Sequence, residues 1–218
     1  MEDKAFDIYV NPYYFRIKKP LKIHSTRIYC LIHGWSGNEK SMSIFSSSIP
    51  DDSVIIFPRG PLQLAENDYA WAEIRNNLKL TFDDYAKIAS VLFNSIQDLV
   101  KSIDFPTTNT KNINLIGFSQ GAAMSAVLSI LYPENFYKVA LLSGFLPSQP
   151  PTLEAAALTS NNYYIAHGTQ DTLVEFEKAI KLKNYLEEYN ATTEFCQEDL
   201  GHKIGASCLK NLKLFFQT

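Results

Sequence analysis

The sequence has little of what marks several common protein classes. Its 218 residues carry a net charge of −3, and no run of lysine and arginine is longer than two residues, which argues against electrostatic binding of nucleic acid. No apolar run is long enough to span a membrane, and the N-terminal residues lack the apolar core of a secretory signal. The three cysteines, Cys30, Cys196 and Cys208, are odd in number and lack metal-ligand spacing. They predict reduced, mostly buried thiols in a cytoplasmic protein without a metal or another cofactor.

What is present is the composition of an ordinary globular protein. Hydrophobic residues make up 46% of the chain and charged residues 20%, enough to build a sizeable core. Repeats, low-complexity tracts and glycine/serine linkers are absent from the sequence. We therefore expect a single domain over residues 1–218, as a monomer or a homodimer.

Short apolar runs alternate along the chain with longer stretches of helical periodicity. Strands are predicted at Arg27–Ile32, Val54–Phe57, Asn112–Ile116, Lys138–Leu142, Tyr163–Ala166 and Thr192–Glu198. Helical spacing is found from a Thr81 cap to Ile103, at 122–128, at 175–189 and at 208–216. This alternation predicts a three-layer αβα sandwich with a mostly parallel sheet and no large cap domain. The segments Phe6–Val10 and Tyr13–Lys18 are expected to add strands, as an antiparallel edge.

The segment that carries chemistry is Gly117-Phe118-Ser119-Gln120-Gly121. It follows a predicted strand and opens a predicted helix, which is the context that a Gly-x-Ser-x-Gly nucleophile turn requires. A serine raised on such a sharp turn is crowded by the residues two positions away on either side, so both must be very small. The sequence thus predicts Ser119 as a nucleophile.

A serine nucleophile needs a base and an acid. In this fold the chain order is serine, acid, histidine, and of the four histidines only His202 leaves room for an acid after Ser119. Asp171, just past the strand Tyr163–Ala166, is the preferred acid over its rivals Glu175 and Asp199. We interpret His33 and His167 as hydrogen-bonding turn residues and His24 as a surface residue.

Stabilisation of an oxyanion requires two backbone N–H groups. The residue after the nucleophile, Gln120, supplies one, and the loop after an early strand supplies the other. That loop is His33-Gly34-Trp35-Ser36-Gly37, and its candidate donor is the Trp35 N–H.

These segments, together with Leu142-Ser143-Gly144-Phe145, His167-Gly168-Thr169-Gln170-Asp171 and Gly201-His202, resemble the phospholipase/carboxylesterase family of α/β-hydrolases. The likeness runs from about Arg27 to Phe216. It implies a cofactor-independent serine hydrolase of esters or thioesters, and it implies the same triad and oxyanion residues as the motif reasoning.

The expected reaction is hydrolysis of carboxylic esters with small to medium acyl chains through an acyl-enzyme on Ser119. Trp71, Phe145 and Leu146 are predicted to contact the substrate, and residues 145–162, with a short helix-like stretch at Leu153–Leu158, to form a small lid. Two alternatives remain open. One is a thioesterase or lysophospholipase that acts on acyl proteins or acyl thioesters, and the other is a hydrolase-fold ligand receptor with little or no turnover.

Overall fold

The computed structural model describes residues 5–20, 27–74, 80–102 and 113–217. The predicted surface position of His24 and the predicted element ends at Ile103 and Asn112 lie outside these ranges. The described strands are β1 (Ala5–Val10), β2 (Tyr13–Lys18), β3 (Ile28–Ile32), β4 (Val54–Pro58), β5 (Leu62–Ala65), β6 (Asp68–Ala70), β7 (Ile113–Phe118), β8 (Phe136–Leu142), β9 (Asn162–Gly168) and β10 (Thr192–Glu198). The described α-helices are α1 (Phe82–Ser102), α2 (Gln120–Leu131), α3 (Phe176–Glu188) and α4 (Ala206–Gln217), and 3-10 helices cover Ser41–Ser48 and Pro133–Asn135.

Eight of these strands form one sheet in the order β1-β2-β4-β3-β7-β8-β9-β10, and β5 and β6 form a separate hairpin. Strands β1, β2 and β4 pair antiparallel, whereas every pairing from β4 through β3 to β10 is parallel. The prediction of a mostly parallel sheet with an antiparallel edge is therefore confirmed. Parallel strands place their carboxyl ends at one sheet edge, where ligands bind in open α/β folds.

Helices cover both faces of this sheet because its central strands are apolar on both sides. All five residues of β3 are buried, and they alternate between two clusters. Ile28, Cys30 and Ile32 face the cluster under α1, α2 and α3, whereas Tyr29 and Leu31 face the cluster under α4 and the first 3-10 helix. This is the predicted three-layer αβα sandwich.

The predicted capping box at the start of α1 is confirmed. The Thr81 backbone N–H donates to an Asp84 carboxylate oxygen at 3.0 Å, and the Asp84 N–H donates to the Thr81 hydroxyl at 3.3 Å. Two N–H groups that the helix leaves without partners are thereby satisfied. No helix in the described part of the chain is both long and apolar enough to cross a membrane.

The cysteine prediction is wrong for two of the three residues. Cys196 on β10 and Cys208 on α4 form a disulfide, with Cα atoms 5.7 Å apart. The pairing arises because α4 folds back against β10, which brings together residues that are 12 positions apart. Only Cys30 is the buried free thiol that the sequence predicted.

The predicted helix-like stretch at Leu153–Leu158 is also wrong, because residues 155–160 form turns rather than a helix. Ala156 has a φ of 64°, which no α-helix accommodates. Leu158 is fully buried, and its N–H donates to the Tyr189 carbonyl at 3.1 Å. This part of the proposed lid is therefore fixed against the end of α3.

Candidate active site

Ser119 stands at the turn between β7 and α2, with a φ of 55° and a ψ of −118°. Its N–H donates to the Leu142 carbonyl at 2.8 Å, which fixes the turn to the end of β8. A Cβ atom at Gly117 or Gly121 would lie under 3.0 Å from backbone atoms, in the latter case the Ile32 and His33 carbonyls. Crowding at both glycines is present, but it comes from the start of α2 at Gly117 and from the end of β3 at Gly121 rather than from Ser119 itself. It holds Ser119 in backbone geometry that non-glycine residues rarely adopt.

The structure brings Ser119, His202 and Asp171 together in one chain of hydrogen bonds. His202 lies in the loop between β10 and α4, and its Nε2 is 2.9 Å from the Ser119 Oγ. Its Nδ1 is 2.7 Å from an Asp171 carboxylate oxygen. This is the distance range in which a base takes a proton from a hydroxyl while a carboxylate orients the imidazole.

Asp171 is held in place from several directions. One carboxylate oxygen accepts the N–H groups of Leu173 and Val174, each at 2.9 Å. The other faces His202 and also lies 3.3 Å from the Nε2 of His167. Burial alone would raise the pKa of Asp171, but the N–H of Val174 and the ring of His202 outweigh burial and lower it. The carboxylate therefore stays ionised.

The rival acids occupy other places. Glu175 is exposed and flanks the N-terminus of α3, and Asp199 accepts a hydrogen bond from the Thr169 hydroxyl at 3.2 Å. His167 is buried and donates to the Val174 carbonyl through Nε2, at 2.7 Å. Burial lowers the pKa of His167, so it is a neutral part of the Asp171 loop, as its assignment to a hydrogen-bonding turn predicts.

The loop after β3 passes directly beside Ser119. A Cβ atom at Gly34 would lie 3.2 Å from the Ser119 Cβ, and the Gly37 N–H closes a turn onto the Gly34 carbonyl at 3.2 Å. Neither the Trp35 nor the Gln120 backbone N–H donates to another residue in the part of the chain that the structure describes. Both N–H groups therefore have no acceptor among the described residues, which an oxyanion donor requires.

His33 fixes this loop from below. Its Nδ1 donates to the Gly34 carbonyl at 2.7 Å, and its Nε2 accepts the Gly60 N–H at 2.9 Å. Acceptance at Nε2 needs a neutral ring, and burial lowers the pKa of His33 to about 4. Beside it, buried Glu39 binds Arg59 through two hydrogen bonds of 2.6 and 2.8 Å. The scaffold role predicted for His33 agrees with this geometry.

The prediction that Trp71 contacts the substrate is wrong, because Trp71 does not line the cavity at Ser119. It is buried with 1% exposure, and its indole N–H donates to the His33 carbonyl at 2.8 Å. The Gln120 side chain accepts the Trp71 N–H at 2.8 Å and donates to the Ala72 carbonyl at 2.7 Å. Trp71 therefore supports the oxyanion loop from behind, and the sequence missed the role of the Gln120 side chain.

Ser119 opens into a cavity of about 1040 Å³ with mostly apolar walls. Phe145 and Leu146 line it, as predicted for substrate contacts, and so does Trp35. At its mouth Ile44 and Leu173 are more than 70% exposed. The volume is at the upper end of the roughly 300–1,000 Å³ typical of small-molecule sites.

Several lining residues were not singled out from the sequence. They are Ile74, Leu80, Tyr85, Leu173, Lys178, Lys181 and Lys203. The last four come from the loops after β9 and β10 and the first turns of α3, which converge on the carboxyl edge of the sheet. The sequence offered a signal for two of them, because Leu173 lies two residues after the predicted acid Asp171 and Lys203 directly follows the predicted base His202.

A model of the phospholipase/carboxylesterase family matches residues 14–218. The chain belongs to this family. Carboxylesterase SOBER1 of Arabidopsis thaliana is 32% identical over 109 residues, 49% of this chain, and the match spans about half of that relative (48%). Acyl-protein thioesterase 1 of Debaryomyces hansenii is 28% identical over 67% of this chain and 70% of its own length.

Solved structures confirm the fold. The Bacillus cereus carboxylesterase superposes with a TM-score of 0.83 at 20% identity, covering 95% of this chain and 94% of its own. A carboxylesterase from Mesorhizobium loti also gives a TM-score of 0.83, at 17% identity and with 98% of each chain covered. The predicted α/β-hydrolase architecture and the predicted family are therefore both confirmed.

Proposed function

We propose that this chain is a carboxylesterase-type serine hydrolase that cleaves esters of small to medium acyl chains through an acyl-enzyme on Ser119. The observation that carries the proposal is the hydrogen-bonded chain from Asp171 through His202 to Ser119. It lies beside two backbone N–H groups without acceptors among the described residues and opens into an apolar cavity. Membership of the phospholipase/carboxylesterase family supports the same reaction class.

The reaction has two steps. His202 takes the Ser119 proton as Oγ attacks the acyl carbon, and Asp171 stabilises the imidazolium that forms. The tetrahedral oxyanion accepts hydrogen bonds from the Trp35 and Gln120 N–H groups. His202 then protonates the leaving oxygen or sulfur, and water enters by the reverse sequence to release the acid.

The test is hydrolysis of p-nitrophenyl esters from acetyl to palmitoyl by the wild type and by Ser119→Ala. A matched control is Ser102→Ala, which changes a hydroxyl at the exposed end of α1. We expect Ser119→Ala to lose about 10⁴-fold or more of kcat with the fold intact, and Ser102→Ala to retain wild-type turnover. Retained activity in Ser119→Ala would refute the assignment of Ser119 as the nucleophile. The acyl-chain length that gives the highest turnover measures the length of the acyl pocket.

Thioester hydrolysis is the second candidate. The cavity of about 1040 Å³ accommodates more than a short acyl group, and one relative carries the name of an acyl-protein thioesterase. Comparing kcat/KM for an oxygen ester and a thioester of one acyl chain, and then for a fatty-acylated peptide, separates the two. A product burst followed by a stable acyl adduct on Ser119, detected by mass spectrometry, would instead indicate a ligand receptor.

The cytoplasmic location stays a prediction. The Cys196–Cys208 disulfide counts against a strongly reducing compartment, because disulfides there are rare. Labelling of free thiols in protein taken directly from the native cells and denatured, before and after reduction, decides between one and three free cysteines, because Cys30 is buried in the folded chain. The monomer or homodimer is likewise a prediction, which light scattering tests.

A further inference from the structure

The charged side chains that line the cavity at Ser119, apart from its histidine, are all lysines. Lys178 and Lys181 come from α3, and Lys203 comes from the loop that carries His202. Among the described lining residues there is no aspartate or glutamate. The chain as a whole has a net charge of −3, so this part of its surface has the opposite sign to the average.

These three lysines are not neutralised by neighbours. Among the described residues no carboxylate forms an ion pair with Lys178, Lys181 or Lys203. Lys183, on another side of the same helix, binds Glu187 at 2.6 Å. The lysines that line the cavity thus keep donors available, while a neighbour that does not line it is paired.

The carboxylates near these lysines in sequence do not line the cavity. Glu175 and Glu177 are exposed at the start of α3 and do not line the cavity. Asp171 is buried, and both of its oxygens are engaged by N–H groups and His202. An anion inside the cavity therefore meets lysine ammonium groups, and no carboxylate is among the described residues that line it.

The three lysines lie close to the residues that form the cavity wall and carry the reaction. Lys178 and Lys181 are three residues apart, which places them on one side of α3. The Lys178 ammonium lies 6.0 Å from the ring centre of Phe145, a wall of the cavity. Lys203 follows His202, the residue that protonates the leaving group in the proposed mechanism.

We propose that Lys178, Lys181 and Lys203 form an anion-binding rim that makes the enzyme prefer esters or thioesters with a carboxylate, phosphate or sulfate group outside the reacting carbonyl. The inference rests on the proposed hydrolase function and adds a substrate class to it. The anionic group stays at the solvent-exposed opening of the cavity, where each lysine contributes modestly to the binding free energy. The acyl chain occupies the apolar interior.

The test uses two soluble esters that differ in one charge: the butyryl ester of 3-hydroxybenzoate and the butyryl ester of 3-hydroxybenzamide. We expect the wild type to show kcat/KM about tenfold higher for the anionic ester, and the ratio to fall toward one in 0.5 M salt. A second pair, the p-nitrophenyl monoester of succinate and p-nitrophenyl pentanoate, places the charge on the acyl side instead.

The variant is Lys178→Gln/Lys181→Gln/Lys203→Gln, and its control is Lys87→Gln/Lys101→Gln/Lys213→Gln, which removes the same charge from exposed positions outside the cavity. We expect the rim variant to lose the anionic preference on at least one pair, so that its ratio of kcat/KM for the anionic ester to kcat/KM for the neutral ester falls toward one. The control variant keeps the preference.

Other outcomes overturn the inference. It fails if the wild type hydrolyses both members of each pair equally, or if the rim variant loses neutral and anionic esters alike. It also fails if the rim variant changes only binding to phosphatidylserine vesicles, since the lysines would then serve a lipid surface. Normal turnover of neutral esters by the wild type in these cases leaves the hydrolase proposal intact. That proposal fails on different results, namely no ester hydrolysed by the wild type or turnover retained in Ser119→Ala.

Discussion

Gly121→Ala tests whether close packing between β3 and α2 sets the geometry of the oxyanion site. The added Cβ would lie under 3.0 Å from the carbonyl oxygens of Ile32 and His33, which are backbone atoms that cannot rotate away. Non-bonded atoms come to rest near 3.5 Å, so the strand end and the helix start must separate by about 1 Å. That displacement moves the Gly34–Gly37 loop away from the Ser119 Oγ.

Two effects of this size follow. Overpacking of a rigid site costs about 3 kcal/mol of unfolding free energy, which in a chain of this length lowers Tm by roughly 6–12 °C. A displacement of about 1 Å between nucleophile and oxyanion donors lowers kcat about 10²-fold. Thermal unfolding and ester hydrolysis at saturating substrate measure the two separately.

Gly201→Ala is the matched control. It adds the same methyl group one residue before His202, where the nearest atom, the Gln170 carbonyl oxygen, is 3.9 Å away. We expect a change in unfolding free energy within about 0.5 kcal/mol and kcat within about twofold of wild type. Wild-type kcat in Gly121→Ala, or equal damage in Gly201→Ala, would refute the packing argument.

Three more predictions concern the residues behind the oxyanion loop. Gln120→Met leaves the Trp71 N–H and the Ala72 carbonyl buried without partners. The free energy of unfolding, measured with urea, should fall by about 2–5 kcal/mol. A fall of less than about 0.5 kcal/mol would show that the two hydrogen bonds are unimportant. Trp71→Phe removes the indole donor to the His33 carbonyl and should lower kcat about tenfold with KM unchanged, while a change in KM alone would restore Trp71 as a substrate contact. Burial lowers the pKa of His33 from 6.5 to about 4 in the folded protein. Between these two pH values the unfolded chain takes up a proton at His33 while the folded protein does not. The free energy of unfolding should therefore fall by about 3 kcal/mol as the pH drops from 6.5 to 4. Urea unfolding across that range should show this slope in the wild type and a reduced slope in His33→Gln.

The three layers and the mostly parallel sheet with its antiparallel edge could be anticipated because short-range pattern and fold rules agree. Buried runs such as β3 are apolar at every residue, a pattern that strands enclosed by helices on both sides require. The Gly-x-Ser-x-Gly turn is local in part, since crowding at Gly117 arises within a few residues of Ser119, whereas Gly121 is crowded by the distant end of β3. The chain order then identified Asp171 and His202 because parallel strands present their following loops at one edge.

What the sequence did not reveal depends on packing between distant segments. The Trp71 side chain could equally have faced the cavity or the core, and only its bond to the His33 carbonyl, 38 residues away, decides this. The same holds for the disulfide, because cysteine spacing does not say whether α4 folds back onto β10. The lysines of the cavity rim also look like ordinary solvated helix charges until the tertiary fold places them beside Ser119.

The disulfide has a consequence for how motion of the site can be observed. Cys196 and Cys208 bracket the segment that holds His202, and their exposures are 9% and 2%. A thiol reductant must reach a sulfur atom directly, so reduction has to wait until α4 lifts from β10. The rate at which dithiothreitol releases these two thiols therefore measures how often the loop that carries His202 opens. A bound acyl group that contacts this loop should lower that rate.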